Sequence, residues 1–250
     1  MTGAPAKRGR GVLEPTIFAI VGVIILVGLG IWQLDRKQWK EMLIETTTAR
    51  LSRAPENLPP RDSWARLLPD GNEYRRVTFP AEFLPGQEAL VYTPGSAFRP
   101  DVSGAGYWVF APAQLSGGSI IIVNRGFVPL DRKDPATRTE GTPHGIVDVV
   151  GVMRWPETRG MFTPADEPQN NVWYVRDPKL IAAAKKWATI TPFYVEQEAP
   201  QAAGGLPRAG KLVVALPDNH LQYALTWFGL ALGLAGVYLA WITGRIRGRN

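Results

Sequence analysis

Two long apolar runs lie near the two ends of the chain and set its organisation. The first, at positions 16–34, has 19 residues without a charge, and the second, at positions 221–242, has 22. An α-helix rises about 1.5 Å per residue, so each run is close to or above the length that crosses the ~30 Å hydrocarbon core of a bilayer. The pattern predicts transmembrane helices at 16–34 and 221–242.

The segment between the two runs has a different pattern. Residues 35–59 are polar and mixed in charge, and the spacing of Trp39, Met42 and Leu43 predicts a short amphipathic juxtamembrane helix before a proline-containing linker. Residues 60–216 are numerous enough for a core of their own. Asp177 and Pro178 predict the N-cap and first residue of a helix there.

Most of residues 60–216 alternates as strands. Positions 74–83 and 88–92 are predicted to form a hairpin around the turn at 84–86. Further strands are predicted at 106–110, 119–124, 146–155, 171–175 and 193–196. We therefore expect an α+β fold, in which two transmembrane helices flank a mostly antiparallel β domain with one or two helices. The sheet is expected to curl or close.

The charge of the chain places it at a membrane rather than on nucleic acid. Five of the six net positive charges lie in two tails, 1–15 and 243–250, which border the apolar runs. Such clusters are typical of an anionic membrane surface. The arginines after the second run place both tails in the cytoplasm and the β domain outside. A signal peptide is an alternative for the first run, but the lack of a small-x-small site predicts an uncleaved anchor.

The composition excludes several kinds of chemistry. The chain has no cysteine, which excludes disulfides and thiolate metal sites, and it has two histidines, His144 and His220, too few for a three-histidine site. No nucleophile elbow, metal cluster or phosphate loop is visible. We therefore expect that the protein is not an enzyme. His144, between a proline and a glycine, is expected in an exposed loop.

His220 stands where the polar segment meets the second run. Asp218 or Asn219 is predicted to cap the helix, so that His220 lies in its first turn at the membrane boundary. At helical spacing, Tyr223 and Trp227 lie on the same face. This arrangement suits a flat, metal-bearing ligand, with His220 as the metal ligand. The alternative is an ordinary aromatic belt with a polar residue in the headgroup zone.

Two further features have both a functional and a structural interpretation. Arg125 follows an apolar strand, and Gly126 suggests a bend or a close backbone approach. Arg125 is a candidate partner for a carboxylate of a ligand or of a partner protein, or else forms an internal ion pair. The spacing of Gly229 with Gly233, and of Gly236 with Ala240, allows close helix packing, although small residues are common in membrane helices.

Several stretches, taken in order, resemble the surfeit-locus (Surf/Shy) protein family. Trp32-Gln33-Leu34 is similar to the family's exit from its first span, and residues 106–129, with Asn124-Arg125-Gly126, resemble its central block. The most specific match is the segment from Asn219 to Trp227. Asp218 stands where a second asparagine is expected, and residues 80–83 lack an expected glycine.

This resemblance implies an assembly factor of cytochrome c oxidase in the bacterial inner membrane, with a periplasmic central domain. It implies that His220 binds the iron of haem a, which the protein delivers to oxidase subunit I, with Tyr223 and Trp227 along the porphyrin and Arg125 as a further contact. Expected partners are subunit I, other assembly factors or haem a synthase, and lipid. The alternative is a structural chaperone that holds oxidase subunits without haem.

Overall fold

The structure of the chain is a computed structural model that describes residues 10–96, 98–189, 191–214 and 218–247. It divides into two compact units. Residues Met1–Glu45 and Pro217–Asn250 belong to the first, here called the helical unit, and Thr46–Leu216 form the second, here called the β unit. Each is described by itself.

The two longest helices are α1 (Arg10–Leu51), which lies in the helical unit as far as Glu45, and α4 (His220–Arg247), which lies in it entirely. Both are long and apolar enough to cross a membrane. The predicted spans 16–34 and 221–242 lie inside them. The structure differs from the sequence prediction after position 34, where α1 continues without a break instead of giving way to a separate juxtamembrane helix. Residues 35–51 contain neither glycine nor proline, so nothing in them ends the helix.

Helices α1 and α4 contact each other through small residues of α1. A Cβ atom on Gly30 would lie 2.5 Å from Cε1 of Phe228, and one on Gly22 would lie 2.8 Å from Cδ2 of Leu234. The hydroxyl groups of Thr16 and Tyr238 are hydrogen-bonded at 2.6 Å. A Cβ on any of the glycines of α4 singled out above, Gly229, Gly233 and Gly236, would meet no atom within 4 Å among the described residues.

The β unit contains eight strands and several short helices. The strands are β1 (Glu56–Asn57), β2 (Arg76–Phe83), β3 (Ala89–Thr93), β4 (Gly106–Leu115), β5 (Ile120–Pro129), β6 (Ile146–Arg154), β7 (Val172–Trp173) and β8 (Tyr194–Ala199). The α-helices are the one-turn α2 (Pro69–Asn72) and α3 (Pro178–Lys185). Single 3₁₀ segments lie at Arg61–Arg66, Leu130–Arg132, Pro135–Gly141, Pro168–Asn170 and Ala203–Gly205.

Five of the strands close into a ring. Strand β2 pairs with β6, β6 with β8, β8 with β5, β5 with β4, and β4 again with β2. All these pairs are antiparallel except β5 with β8. Strands β3 and β7 extend the sheet beyond β4, and β1 adds to β2. The expected α+β fold, with a mostly antiparallel sheet that closes, is confirmed.

The predicted hairpin of 74–83 with 88–92 is wrong. Strand β2 pairs antiparallel with the end of β4 at Ala113–Leu115, and β3 pairs antiparallel with its beginning at Gly106–Phe110. Both strands therefore run in the same direction along one side of β4, and the turn at 84–86 does not reverse the chain. The ten-residue β4 is long enough to take two partners end to end, which the local turn signal cannot reveal.

Alternate residues of the long strands supply two apolar cores. Ile121 and Val123 of β5 pack with Phe79 and Trp64 in one core, whereas Ile122 packs in a second core on the other face. The second core also contains the helix α3. As predicted, Asp177 caps α3 by accepting hydrogen bonds from the N–H groups of Lys179 and Leu180. Burial on both faces explains why β5 reads as a continuous apolar run.

Candidate functional site

The start of α4 holds His220 in a defined position. The Oδ1 atom of Asp218 accepts a hydrogen bond from the backbone N–H of His220 at 2.9 Å, and the carbonyl of Asn219 accepts one from Tyr223 N–H at 3.1 Å. Asp218 thus satisfies one of the N–H groups that a helix start leaves free. The predicted capping, with His220 in the first turn, is confirmed.

The imidazole of His220 is hydrogen-bonded to α1. Its Nδ1 lies 2.8 Å from Oε1 of Gln33. An amide oxygen only accepts, so Nδ1 carries the proton and donates it to Gln33. The lone pair of a neutral imidazole is then on Nε2, for which the described residues offer no hydrogen-bond partner. The ring is half-buried, is fixed on one side, and is free to bind on the other.

Tyr223 and Trp227 flank this position on α4. The side chain of Tyr223 is 56% exposed, whereas Ala224 beside it is buried. Trp227 is half-buried, and its indole Nε1 is sealed from solvent without a hydrogen-bond partner among the described residues. A buried indole N–H usually finds an acceptor, so this donor is a polar group that the described residues leave unsatisfied.

A single imidazole is what the site offers a metal. The described residues contain no group of three histidine, cysteine, aspartate or glutamate side chains that could hold a metal ion. His144, as predicted, is exposed in a loop of the β unit. Haem iron needs only one or two axial ligands, and neutral imidazole is one of them, so the residues at His220 fit a haem better than a bare ion.

Gln33 is the site residue that sequence reasoning missed. It was visible only as part of the Trp32-Gln33-Leu34 stretch, with no role of its own. One signal could have pointed to Gln33. It lies near the end of the first apolar run, and in an antiparallel helix pair that end lies beside the start of the second run.

Arg125 lies in β5, in the β unit, whereas the other candidates belong to the helical unit. Its Nη2 donates a hydrogen bond to the carbonyl of Gly141, and its guanidinium lies 5.1 Å from the ring centre of Phe83. Burial, offset in part by Glu88, lowers the pKa of Arg125 to about 10. The described residues give it no carboxylate within ion-pair distance, so the predicted alternative of an internal ion pair is wrong.

The residue after Arg125, Gly126, lies against another backbone segment. Its φ is +125°, and a Cβ there would lie 2.2 Å from the carbonyl oxygen of Arg208. Phe127, the next residue, exchanges backbone hydrogen bonds with Arg208 at 3.1 and 2.8 Å. The expected close approach of another backbone segment at Gly126 is confirmed, because a side chain would not fit there.

Comparison with known proteins identifies the family. The profile of the SURF1 family matches residues 20–232. A SURF1-like protein of Monosiga brevicollis is 34% identical over 257 residues, which cover 99% of the chain and 92% of the relative. The chain belongs to the SURF1 family. Surfeit locus protein 1 of Homo sapiens is 32% identical, and a SURF1-like protein of Drosophila melanogaster is 35% identical, each over 88% of the chain and 74% of the relative.

SURF1 family members are assembly factors for cytochrome c oxidase. The family match covers both halves of the candidate site in the helical unit, Gln33 on α1 and His220 on α4, as well as Arg125. The three relatives named are from eukaryotes, so the bacterial origin suggested by the resemblance stays a prediction.

Proposed function

We propose that this SURF1 family member is a membrane-anchored assembly factor of a haem–copper (cytochrome c) oxidase that binds haem a through His220 and delivers it to subunit I. The observation that carries the proposal is the hydrogen bond from His220 Nδ1 to Gln33. It leaves Nε2 as the basic nitrogen, in a ring whose orientation is already set. Outer contacts of this kind raise the basicity of a histidine ligand.

The residues around His220 suit a carrier rather than a catalyst. Haem contributes an iron that binds imidazole, and one protein ligand holds it less firmly than two, which favours release to a partner. The exposed Tyr223 and the half-buried Trp227 offer ring surfaces and an unused N–H on the same helix face. We propose no enzymatic step. The partners on this proposal are subunit I, other assembly factors or haem a synthase, and membrane lipid, but no nucleic acid.

The location follows from the same reasoning. We propose that α1 and α4 span the bacterial inner membrane with both termini in the cytoplasm, and that the β unit is periplasmic. The length and apolar character of the two helices support the spans, and the arginines after α4 support the orientation.

The test is the His220→Ala variant, purified from cells that make haem a, with His144→Ala as its matched control. We expect His220→Ala to accumulate in the membrane normally, because its apolar run is intact, but to retain much less haem. Oxidase haem content should fall with it, while His144→Ala should match the parent. The measurements are the haem-to-protein ratio and the absorption spectrum.

The second candidate function is a structural chaperone that holds oxidase subunits without haem. The size of the β unit, which comprises Thr46–Leu216 and has its own sheet, favours it. An unchanged haem ratio and spectrum in His220→Ala would eliminate His220 as a ligand. Restored oxidase assembly by that variant, with no haem bound to the variant or to the parent protein, would favour the chaperone.

A further inference from the structure

Arg125 is half-buried and differs from the fully buried arginines of the β unit. Each of those has a carboxylate partner within 4.0 Å: Arg99, Arg138 and Arg154. Among the described residues Arg125 has none, and its Nε, sealed from solvent, has no hydrogen-bond partner. A buried charge without a counter-ion is costly, so a site that keeps one is a candidate for binding an anion.

The acids near Arg125 do not neutralise it. Glu88 is close enough to interact with its charge, but Arg138 holds both oxygens of Glu88. Lys185 also interacts with the charge of Glu88. Glu140 lines the same cavity as Arg125 but is exposed and lies beyond ion-pair distance. The charge of Arg125 is therefore left uncompensated.

A cavity of about 150 Å³ adjoins the guanidinium. Its apolar walls include Phe83, Val147, Pro200 and Ala202, and Gln197 also lines it. A cavity of about 150 Å³ holds a molecule the size of benzene. It is well below the roughly 300–1,000 Å³ of sites for drug-sized ligands, so a whole porphyrin does not fit.

We propose that this cavity binds a short aliphatic monocarboxylate. The carboxylate pairs with the guanidinium of Arg125, and the carbon chain packs on Phe83 and Val147. The acid is either free or an arm of a larger molecule, such as a porphyrin propionate, and the charge of one carboxylate balances that of Arg125.

The test is a titration of the full chain in detergent micelles, with the arginines labelled by ¹⁵N. The Arg125 Nε–H resonance is identified by its absence in Arg125→Lys. We expect butyrate to shift it saturably and the neutral isostere butyramide to leave it in place. Arg125→Gln should weaken butyrate binding, measured by calorimetry, roughly ten- to a hundredfold, as expected for loss of a hydrogen bond to a charged group.

Two variants keep the result interpretable. Ala202→Leu retains Arg125 but fills the cavity, and should also weaken butyrate binding if Arg125→Gln fails to fold. The titration is repeated in His220→Ala, where the shift should persist, so that failure of haem ligation does not affect the outcome.

A porphyrin with free propionates that shifts the resonance, while its dimethyl ester does not, assigns the site to a propionate arm. A shift with butyrate alone assigns it to a free acid. No shift with any carboxylate would mean that only water enters and would overturn the proposal. So would butyrate binding that appears only in Glu140→Gln, because Glu140 would then close the site internally.

Discussion

At the scale of single residues, the decisive contact is between two side chains that are 187 positions apart. Gln33 does not touch the iron on the proposed function, but its Oε1 fixes which nitrogen of His220 is free. It is therefore a positioning residue, and its effect should be seen in ligand geometry as well as in the amount of haem bound.

We predict that Gln33→Leu retains haem about ten- to a hundredfold less tightly than the parent, the usual cost of losing an outer contact of a metal ligand. The imidazole then loses its tautomer preference and rotates more freely. The measurement is haem affinity together with the absorption spectrum. Gln38→Leu, a change of an exposed glutamine on the same helix, is the control and should leave both unchanged.

The Gln33→Glu variant should make the imidazole of His220 more basic. A carboxylate accepts the Nδ1 proton more strongly than an amide, so this variant should bind haem at least as tightly as the parent, with a shifted spectrum. Haem binding that is lost in Gln33→Glu but kept in Gln33→Leu would contradict the assigned role.

The sequence predicted His220 because the residue itself carries the signal. It is one of two histidines, it follows a capping aspartate, and it starts an apolar run. Gln33 carries no such signal, since its importance depends on which residue of the other helix lies opposite. Arg125 was found as a candidate, but its lack of a carboxylate is a property of the packed β unit.

At the scale of elements, the contact between α1 and α4 depends on glycines on one helix only. Gly30 faces Phe228, whereas a Cβ on Gly28, two residues earlier, would meet no described atom within 4 Å. The same substitution should therefore disturb the contact between the helices at Gly30 and leave it intact at Gly28.

We predict that Gly30→Val separates the helices and that Gly28→Val does not. Thr16→Cys with Tyr238→Cys provides the readout through a short bifunctional thiol reagent, because the parent has no cysteine and the Tyr238 ring, whose length the reagent replaces, brings its hydroxyl to 2.6 Å from that of Thr16. Crosslinking in the membrane should fall clearly in the Gly30→Val background and stay at the parent level with Gly28→Val. Equal crosslinking in both backgrounds would mean that this face does not hold the helices together.

A buried charge cluster links three elements of the β unit. Glu196 of β8 is 1% exposed and lies 3.3 Å from Arg154 and 3.7 Å from Arg176. Arg154 also binds Glu73 at 2.7 Å. Burial lowers the pKa of Arg154, but electrostatic interactions with Tyr194, Glu196 and Glu73 raise that pKa above its ordinary value and keep the guanidinium charged.

Arg154→Met should destabilise the β unit by about 3–5 kcal/mol, because it leaves the buried carboxylate of Glu196 without its main partner. Unfolding by urea, followed by tryptophan fluorescence, measures this. Arg75→Met is the matched control, since its partner Glu56 is 53% exposed and such pairs contribute about 0–1 kcal/mol. Similar losses in the two variants would show that the cluster adds nothing beyond a surface pair.

Elements were easier to predict than their pairing. The alternation of β2 and the continuous apolar pattern of β5 are local, so their existence could be predicted from sequence. The partner of β3 could not, because β4 accepts two strands end to end, and that depends on its whole length. Similarly, the sequence predicts two helices over the length of α1, because charged residues begin after Leu34, although the helix does not end there.

At the scale of the whole molecule, the β unit has its own sheet and its own apolar cores. We predict that residues 46–216, produced alone, form a soluble β-rich domain that binds haem poorly, since His220 is absent from it. Circular dichroism and haem titration test this. The start at 46 keeps β1, which pairs with β2. Tight haem binding by this fragment would move the site to His144 or to another residue of the β unit.

The last prediction concerns orientation in the membrane. Arg245, Arg247 and Arg249 follow the second apolar run closely, and such clusters stay on the cytoplasmic side. The first run has lysine and arginine on both sides and therefore indicates no orientation by itself. The second run should determine the orientation of the protein in the membrane. Two spans then place both termini in the cytoplasm and the β unit on the opposite side.

A reporter inserted in the exposed loop at Met161 and Phe162 should therefore report the opposite side from a reporter at the C-terminus. The loop is chosen because it lies outside the strands, so that the insertion leaves the sheet intact. If both reporters give the same side, one of the two helices does not cross the membrane. His220, at the first turn of α4, would then lose its place at the membrane boundary, and delivery of haem to a membrane-embedded subunit would need another route.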